Sequence, residues 1–408
     1  MANKYYLIKL FIICGIILMC SCSGENTNTE EISRIPGKFE KIDFSLDSIA
    51  TDMLFVRFSN EVSLPFAQLV KWYEPYFYYS VRSFENAEIH RFTYEGKYVE
   101  TLSKHGNGPD EYPGISDFFV DERTGNLYVV TNKIVVFDRN LNYLRDIKYP
   151  DSTGRHVFAK LFNNQIHLFC FSFTGKGFDW IKMDTSGKVL ESRKCTESIS
   201  SPNYPSDFHV FKNSTGLYRF YNRNDTIFQV DSTGYHPYRL LTREFSDGYN
   251  MVNEEWTDVF QFDGHRSNKP HRDLKSVLGI GDKWILQYQK INPGGRYREM
   301  ETVLFDPADN TSYLVNSVGA KFGESVYFGL NNDWVGYGTI VPSTKIEISG
   351  EKYISYVMDA IKFKKYVNSH EFASGEPKRP ELKQKMQAVA DNLTIDDNPV
   401  LILLKLKQ

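Results

Sequence analysis

The chain has 408 residues, with 48 Lys or Arg against 51 Asp or Glu and a formal net charge of −3. No basic block or stripe interrupts this balance, which excludes a nucleic-acid binder. Aromatic residues make up 15% of the chain, which points to a packed globular protein. Beyond the first twenty residues no apolar run approaches the length of a membrane helix.

The N-terminus reads MANKYYLIKLFIICGIILMCSCSGENTNTEE. Lys4 and Lys9 give it a positive start, and Leu10 to Met19 form an apolar run too short to span a bilayer and suited to a signal peptide. The run ends at Met19-Cys20-Ser21-Cys22, which looks like a bacterial lipobox. Small Ser21 fits the position before an acylated cysteine, whereas bulky Met19 fits poorly before Cys20. The expected organisation is a lipoprotein signal peptide over 1–21, lipidation at Cys22, a flexible tether over 22–38 and a folded domain over 39–408. Ser23 in place of aspartate does not suggest inner-membrane retention, so the expected location is the cell envelope, as an outer-membrane lipoprotein facing either side. Without Lys4 and Lys9 the basic residues fall to 46 against 51 acidic ones, a net charge of −5. Only Cys170 and Cys195 then remain in the globular part, and both one disulfide and two free thiols stay open.

The folded part repeats a phrase of apolar-x-apolar-Asp-x-x-Gly-x-apolar type: RFTYEGKYV, VVFDRNLNYL, IKMDTSGKVL, FQVDSTGYHPYRL and VLFDPADNTSYL. Its Asp position falls at Thr93, Asp138, Asp184, Asp231 and Asp306, at spacings of 45, 46, 47 and 75. Each phrase predicts a strand, a tight turn and a second strand, and a second hairpin lies upstream of each. Four short strands every 45 or so residues predict an all-β, six-bladed β-propeller of four-stranded antiparallel blades. The blades are expected over Phe66–Lys104, Ile115–Ile147, Val157–Arg193, Phe208–Leu241 and Leu274–Val315, with a sixth from Ser325–Thr339 and the terminal PVLILLKLK. The N-terminal MLFVRF supplies that blade's fourth strand and closes the ring, and the residues before Ile49 are expected to be dispensable to it. Helical spacing of Leu382, Met386, Val389 and Leu393 after Pro380 predicts a small helical insertion near the C-terminus.

After the first phrase comes Gly106-Asn107-Gly108-Pro109-Asp110-Glu111-Tyr112, followed by Ile115-Ser116-Asp117-Phe118-Phe119-Val120-Asp121. These stretches, the lipobox and the terminal NPVLILLKLK together resemble a six-bladed, TolB-like propeller family of envelope lipoproteins in Bacteroidetes. The resemblance implies the fold over residues 30 to 408 and lends no activity. Asp110 departs from it, standing where many relatives have glycine. No helix follows the two glycines, so this is no phosphate cradle. Gly106, Gly108, Pro109 and Glu111 instead predict a structural turn, in which Glu111 accepts the turn's free N–H groups. Asn332-Asp333-Trp334 reverses the WD dipeptide and carries no repeat signature.

In such blades the first-to-second and third-to-fourth turns share one face. The second-to-third loops and inter-blade crossings share the other. The first set is uniformly short, and every long segment belongs to the second: Thr242–Asp273, Lys290–Glu299 and Ile348–Asn398. Candidate ligand- or partner-binding residues there are Arg243, Glu255, Trp256, Asp258, His265, Arg266, Arg296, Tyr297 and Arg298. No catalytic constellation and no metal site meets a spacing test. The expected function is a lipid-anchored binding or interaction module, attached to the membrane through Cys22, with an unidentified protein or glycan partner. The alternative is an envelope hydrolase or lyase, lactonase-like or glycan-active, with a metal in the central channel. The cofactor is unknown in either case.

Overall fold

The computed structural model describes residues 32–65, 69–82, 87–150, 156–171, 177–195, 208–213, 215–221, 226–241, 271–291, 298–316, 320–322, 325–327 and 329–407. The chain divides into a short unit, Met1–Ser33, and a unit Arg34–Gln408 that holds every blade.

Six four-stranded antiparallel sheets form the propeller. From inner to outer strand, the first blade is Leu69–Tyr73, Tyr76–Arg82, Ala87–Phe92 and Tyr98–Ser103. The second is Asp117–Asp121, Asn126–Val130, Ile134–Phe137 and Tyr143–Ile147. The third is His156–Phe162, Gln165–Phe171, Phe178–Asp184 and Val189–Lys194. The fourth is Phe208–Asn213, Gly216–Tyr221, Thr226–Asp231 and Gly234–Leu240. The fifth is His271–Ile280, Lys283–Ile291, Arg298–Asp306 and Thr311–Asn316. The sixth runs Thr344–Ile348, Glu351–Met358 and Val400–Leu406, completed by N-terminal Ala50–Arg57. Val56 pairs with Leu401 and Met53 with Leu404, so the two chain ends share one sheet. The inner strand of the sixth blade contacts that of the first, which closes the ring.

The repeated phrase has a local cause. In the turns from the second phrase on, the aspartate bends back on its own backbone: Asp138 Oδ1 accepts the N–H groups of Asn140 and Asn142, both at 2.8 Å. Asp184 takes Ser186 at 2.9 Å and Lys188 at 3.0 Å, and Asp231 takes Thr233 at 2.7 Å. A side chain that caps the turn fixes the hairpin register, which explains why this position recurs. Large rings fill the space between blades. Tyr78 meets Phe118 between the first and second, Trp180 stacks on Tyr235 at 5.3 Å between the third and fourth, and Tyr218 meets Trp284 edge-on at 5.2 Å between the fourth and fifth.

The sixth blade differs from expectation. Ser325–Tyr327 does not start it; this strand pairs in parallel with Arg298–Met300 of the fifth blade, and Leu330–Asn331 and Thr339–Ile340 form only a short ribbon. Its first hairpin is Thr344–Ile348 with Glu351–Met358, joined by Ser349 and Gly350 at φ +51° and +81°. Two consecutive left-handed residues make the two-residue turn whose twist matches antiparallel strands. The alternation in TKIEISGEKYISYV carried this hairpin, and the long segment read from Ile348 therefore starts only after Met358. The other two long segments also shrink at their ends. His271–Asp273 pair with Ile291–Gln289 inside the fifth blade, and Arg298 and Glu299 already belong to its third strand.

The segment before the closing strand is also more than a tether. Ile35 is fully buried, its N–H bonds to the Leu240 carbonyl at 2.7 Å, and Glu40–Asp43 adds a parallel strand to the outer edge of the fifth blade.

Candidate functional site

Strand direction alternates through every blade, so the rims of the disc are assigned by topology. One rim carries the first-to-second and third-to-fourth turns. By the same alternation the described second-to-third loops and inter-blade crossings, 359–399 among them, lie on the opposite rim. Arg243, Glu255, Trp256, Asp258, His265, Arg266, Arg296 and Tyr297 lie outside the described residues. Arg298 opens the third strand of the fifth blade.

The described long connection of this rim, 359–399, forms a helical cap. Its helices are α1 (Ala360–Val367), α2 (His370–Ser374) and α3 (Pro380–Asp391). Pro380 stands at the first turn of α3, where its missing N–H costs nothing. The Ser369 side chain caps α2 by accepting the Phe372 N–H at 3.1 Å. Phe363, Val367, Phe372, Leu382, Met386 and Ala390 turn inward onto Trp334, Ile340, Ile354 and Met358. Lys364 Nζ donates to the Ala390 and Leu393 carbonyls at 2.7 and 2.6 Å, closing the C-terminal end of α3.

The reversed dipeptide proves to be a fastening point. Trp334 is buried, its indole N–H donates to Asp47 at 2.7 Å, and the Arg379 guanidinium lies 4.8 Å over its ring. Asp333 accepts Lys378 Nζ at 2.6 Å and the Leu46 N–H at 3.2 Å. The cap is thereby tied to the chain just ahead of the closing strand. Ile395, 61% exposed, is the most exposed large apolar side chain of the described residues and sits just beyond α3.

The turn at 106–112 is built on one carboxylate. Glu111 accepts the Gly108 N–H at 2.8 Å, and the backbone closes from Tyr112 to Lys104 and from Gly106 to Tyr112. Gly106 has φ +154°, and a Cβ there would run into the Glu111 carboxylate. Lys133 from the second blade fastens the turn, donating to the Gly108 and Pro109 carbonyls at 3.1 and 3.0 Å and to Asp146 at 2.7 Å.

Three charged groups of the inner strands come together across the first three blades. Lys71 of the first blade and Lys160 of the third both pair with buried Asp117 of the second. Asp117 also accepts the N–H groups of Phe118 at 2.8 Å and Ala159 at 3.3 Å. Burial opposes its ionisation, but the Lys160 and Lys71 ammonium groups overcome this and hold the carboxyl well below the usual range. Sequence reasoning missed this cluster. Its signal is a lysine on five of the six inner strands, visible only once the blades are aligned. Among the described residues no His, Cys, Asp and Glu side chains converge as a metal site. Cys170 is a buried free thiol, and burial pushes its pKa up to about 12.

A cleft of about 230 Å³ opens between the third and fourth blades on the short-turn rim, lined by Asn163, Gln165, His167, Lys182 and Asp231 among others. His167 stacks on Trp180 at 5.9 Å, and burial with the Lys182 charge pushes its pKa down to about 4. It is therefore a neutral imidazole at physiological pH.

Comparison with solved structures gives a likeness to a Bacteroides fragilis protein whose assignment as exported is itself provisional. The match has a TM-score of 0.61 and 15% identity, and it covers 92% of this chain and 99% of that one. At this identity it shows the fold alone. A Bacteroides caccae protein of unknown function (TM-score 0.29, 10% identity, 44% of this chain and 74% of that one) and the Myxococcus xanthus glutaminyl cyclase (0.31, 9%, 64% and 96%) are too distant to carry an argument. No curated protein matches. Among the described residues no helix is long and apolar enough to cross a membrane. A family profile matches residues 75–405, nearly the whole propeller, and the chain belongs to that family, described as a domain of unknown function (DUF4934).

Proposed function

We propose that this protein is a lipid-anchored envelope propeller, held at the outer membrane through Cys22, whose long-connection rim binds a protein or glycan partner. One observation carries the reading: the described long connection, 359–399, is folded into a packed helical cap on the rim where the sequence also puts the other long segments. Long connections on a rigid scaffold are where binding residues concentrate. Trp256, with Arg243, Glu255, Asp258, His265 and Arg266, belongs to the longest of them, and Arg296 and Tyr297 to another. A tryptophan among charged residues is the side chain best suited to anchor a partner. Grouping with TolB-like envelope propellers rests on GNGPDEY and the terminal NPVLILLKLK. The alternative of a channel metal gains no support from inner strands that present lysines.

The test is cross-linking in the native envelope. A photoreactive residue at exposed Glu371 on the cap should capture a partner, while one at exposed Ser186 on the opposite rim should not. Capture from Ser186 alone would refute the assignment. Anchoring is tested separately: Cys22→Ala should abolish labelling by palmitate, and persistent labelling would move the lipid elsewhere.

A further inference from the structure

Five of the six inner strands carry a lysine: Lys71, Lys160, Lys212, Lys275 and Lys345, on the first, third, fourth, fifth and sixth blades. The second blade supplies Asp117 instead. Lys71 and Lys160 converge on that single carboxylate from either side, so two ammonium groups share one counter-charge. Among the described residues, Lys212 and Lys345 make no ion pair. Lys212 Nζ lies 5.9 Å over the Phe162 ring of the third blade. Lys345 is half-buried. Burial, neighbouring Lys352 and Lys212 all disfavour its protonated form, and Glu347 opposes them in part. The fifth blade stands between Lys212 and Lys345 in the ring, so the repulsion between them runs across the axis.

Of the other charges of these strands, Glu347 lies two residues from Lys345 on the sixth blade and offsets part of the positive charge there, while others are engaged elsewhere. Asp121 accepts the Arg123 N–H at 3.1 Å within its own turn, and Arg272 donates to Glu301 at 2.6 Å. The side chain of Asp273 lies outside the described residues. A protein of net charge −3 thus gathers positive charge around its axis, between apolar blade walls that focus the field. Lysine ammonium groups carry three adaptable donors each and suit oxyanions of several shapes.

We propose that the axial channel binds a small multivalent oxyanion, with Lys212 and Lys345 as its direct ligands and the Lys71–Asp117–Lys160 cluster as the facing wall. The shared chemistry is clustered carboxylate or phosphate oxygens. The site is distinct from the rim and does not depend on it.

The experiment is calorimetric titration of the full-length protein in detergent, at low ionic strength, with citrate, with inorganic phosphate and with glucose as a neutral control. At least one of the anions should bind in the millimolar range or tighter, with affinity falling as sodium chloride is raised, and glucose should not bind. The double variant Lys212→Gln/Lys345→Gln should weaken binding by at least about tenfold, the effect of losing one charged hydrogen bond or more. Its melting temperature should not fall below the parent's, because the change removes repulsion. Lys362→Gln on α1, away from the axis, should leave binding unchanged. Citrate alone binding would assign the site to polycarboxylates, and phosphate alone to phosphorylated ligands; either supports the proposal. Binding of neither anion, or equal binding by parent and double variant, would overturn it.

Discussion

Gly106 and Glu111 show how much one residue pair decides. The Glu111 carboxylate fills the space beside the Gly106 Cα, so the glycine is required by its neighbour as well as by its backbone angle. Gly106→Ala should cost about 1–3 kcal/mol, read as a melting temperature lowered by a few degrees. In the double variant Gly106→Ala/Glu111→Ala the clash is gone, so the two losses should fall short of their sum; strict additivity would deny the contact. Asp117 makes a prediction in pH. Its folded pKa is depressed, so its contribution is fully present above the unfolded value of about 4 and is lost as pH falls through the acid range below it. Asp117→Asn should lower stability at neutral pH by about 3 kcal/mol, since it strands two partly buried ammonium groups. It should also flatten the stability loss between about pH 4 and pH 2, measured by denaturant unfolding. An unchanged acid profile would show that other carboxylates govern it. The aspartates of the repeated phrase were legible in the sequence because each caps its own turn within four residues. The channel lysines were not, because each is a single residue whose partners come from other blades.

At the scale of elements, the closing strand was legible and what precedes it was not. MLFVRF alternates and has no local hairpin partner, which left the last blade as its place. The chain before it was read as dispensable up to residue 48, yet Phe44 and Leu46 are buried, Glu40–Asp43 extends the fifth blade and Asp47 holds the Trp334 indole. These contacts join segments nearly 290 residues apart, beyond any local pattern. Three truncations should therefore separate in thermal melts. Removing 23–33 should leave the melting temperature unchanged, removing 23–48 should lower it, and removing through Arg57 should abolish cooperative unfolding by opening the ring and exposing two sheet edges. Equal melting of the first two would show that the fastening around Trp334 adds nothing. The sixth blade's first hairpin was obscured because the fifth-to-sixth crossing carries short strands of its own.

At the scale of the molecule, the ring sorts its connections. One rim is kept to tight turns, most of them held by their own aspartates, and the other carries the described long connection 359–399, where an insertion leaves the blades undisturbed. The six-bladed ring was legible from a repeat of about 45 residues, and the same repeat gives the expected face of the long segments. What they bind was not, since loop residues follow no period. The positive axis and the long-connection rim are the two proposed places for recognition, one electrostatic and one assembled from side chains of long connections. The central claim is that a partner engages the long-connection rim. The measurement that tests it most directly is hydrogen exchange on the lipidated protein in its native envelope against the same protein purified in detergent. The account predicts slowed exchange in the envelope over 242–270, 292–297 and 359–399, with the turns at 122–125, 163–164, 185–187 and 232–233 unchanged. Slowed exchange at those turns, with the long connections unchanged, would contradict it.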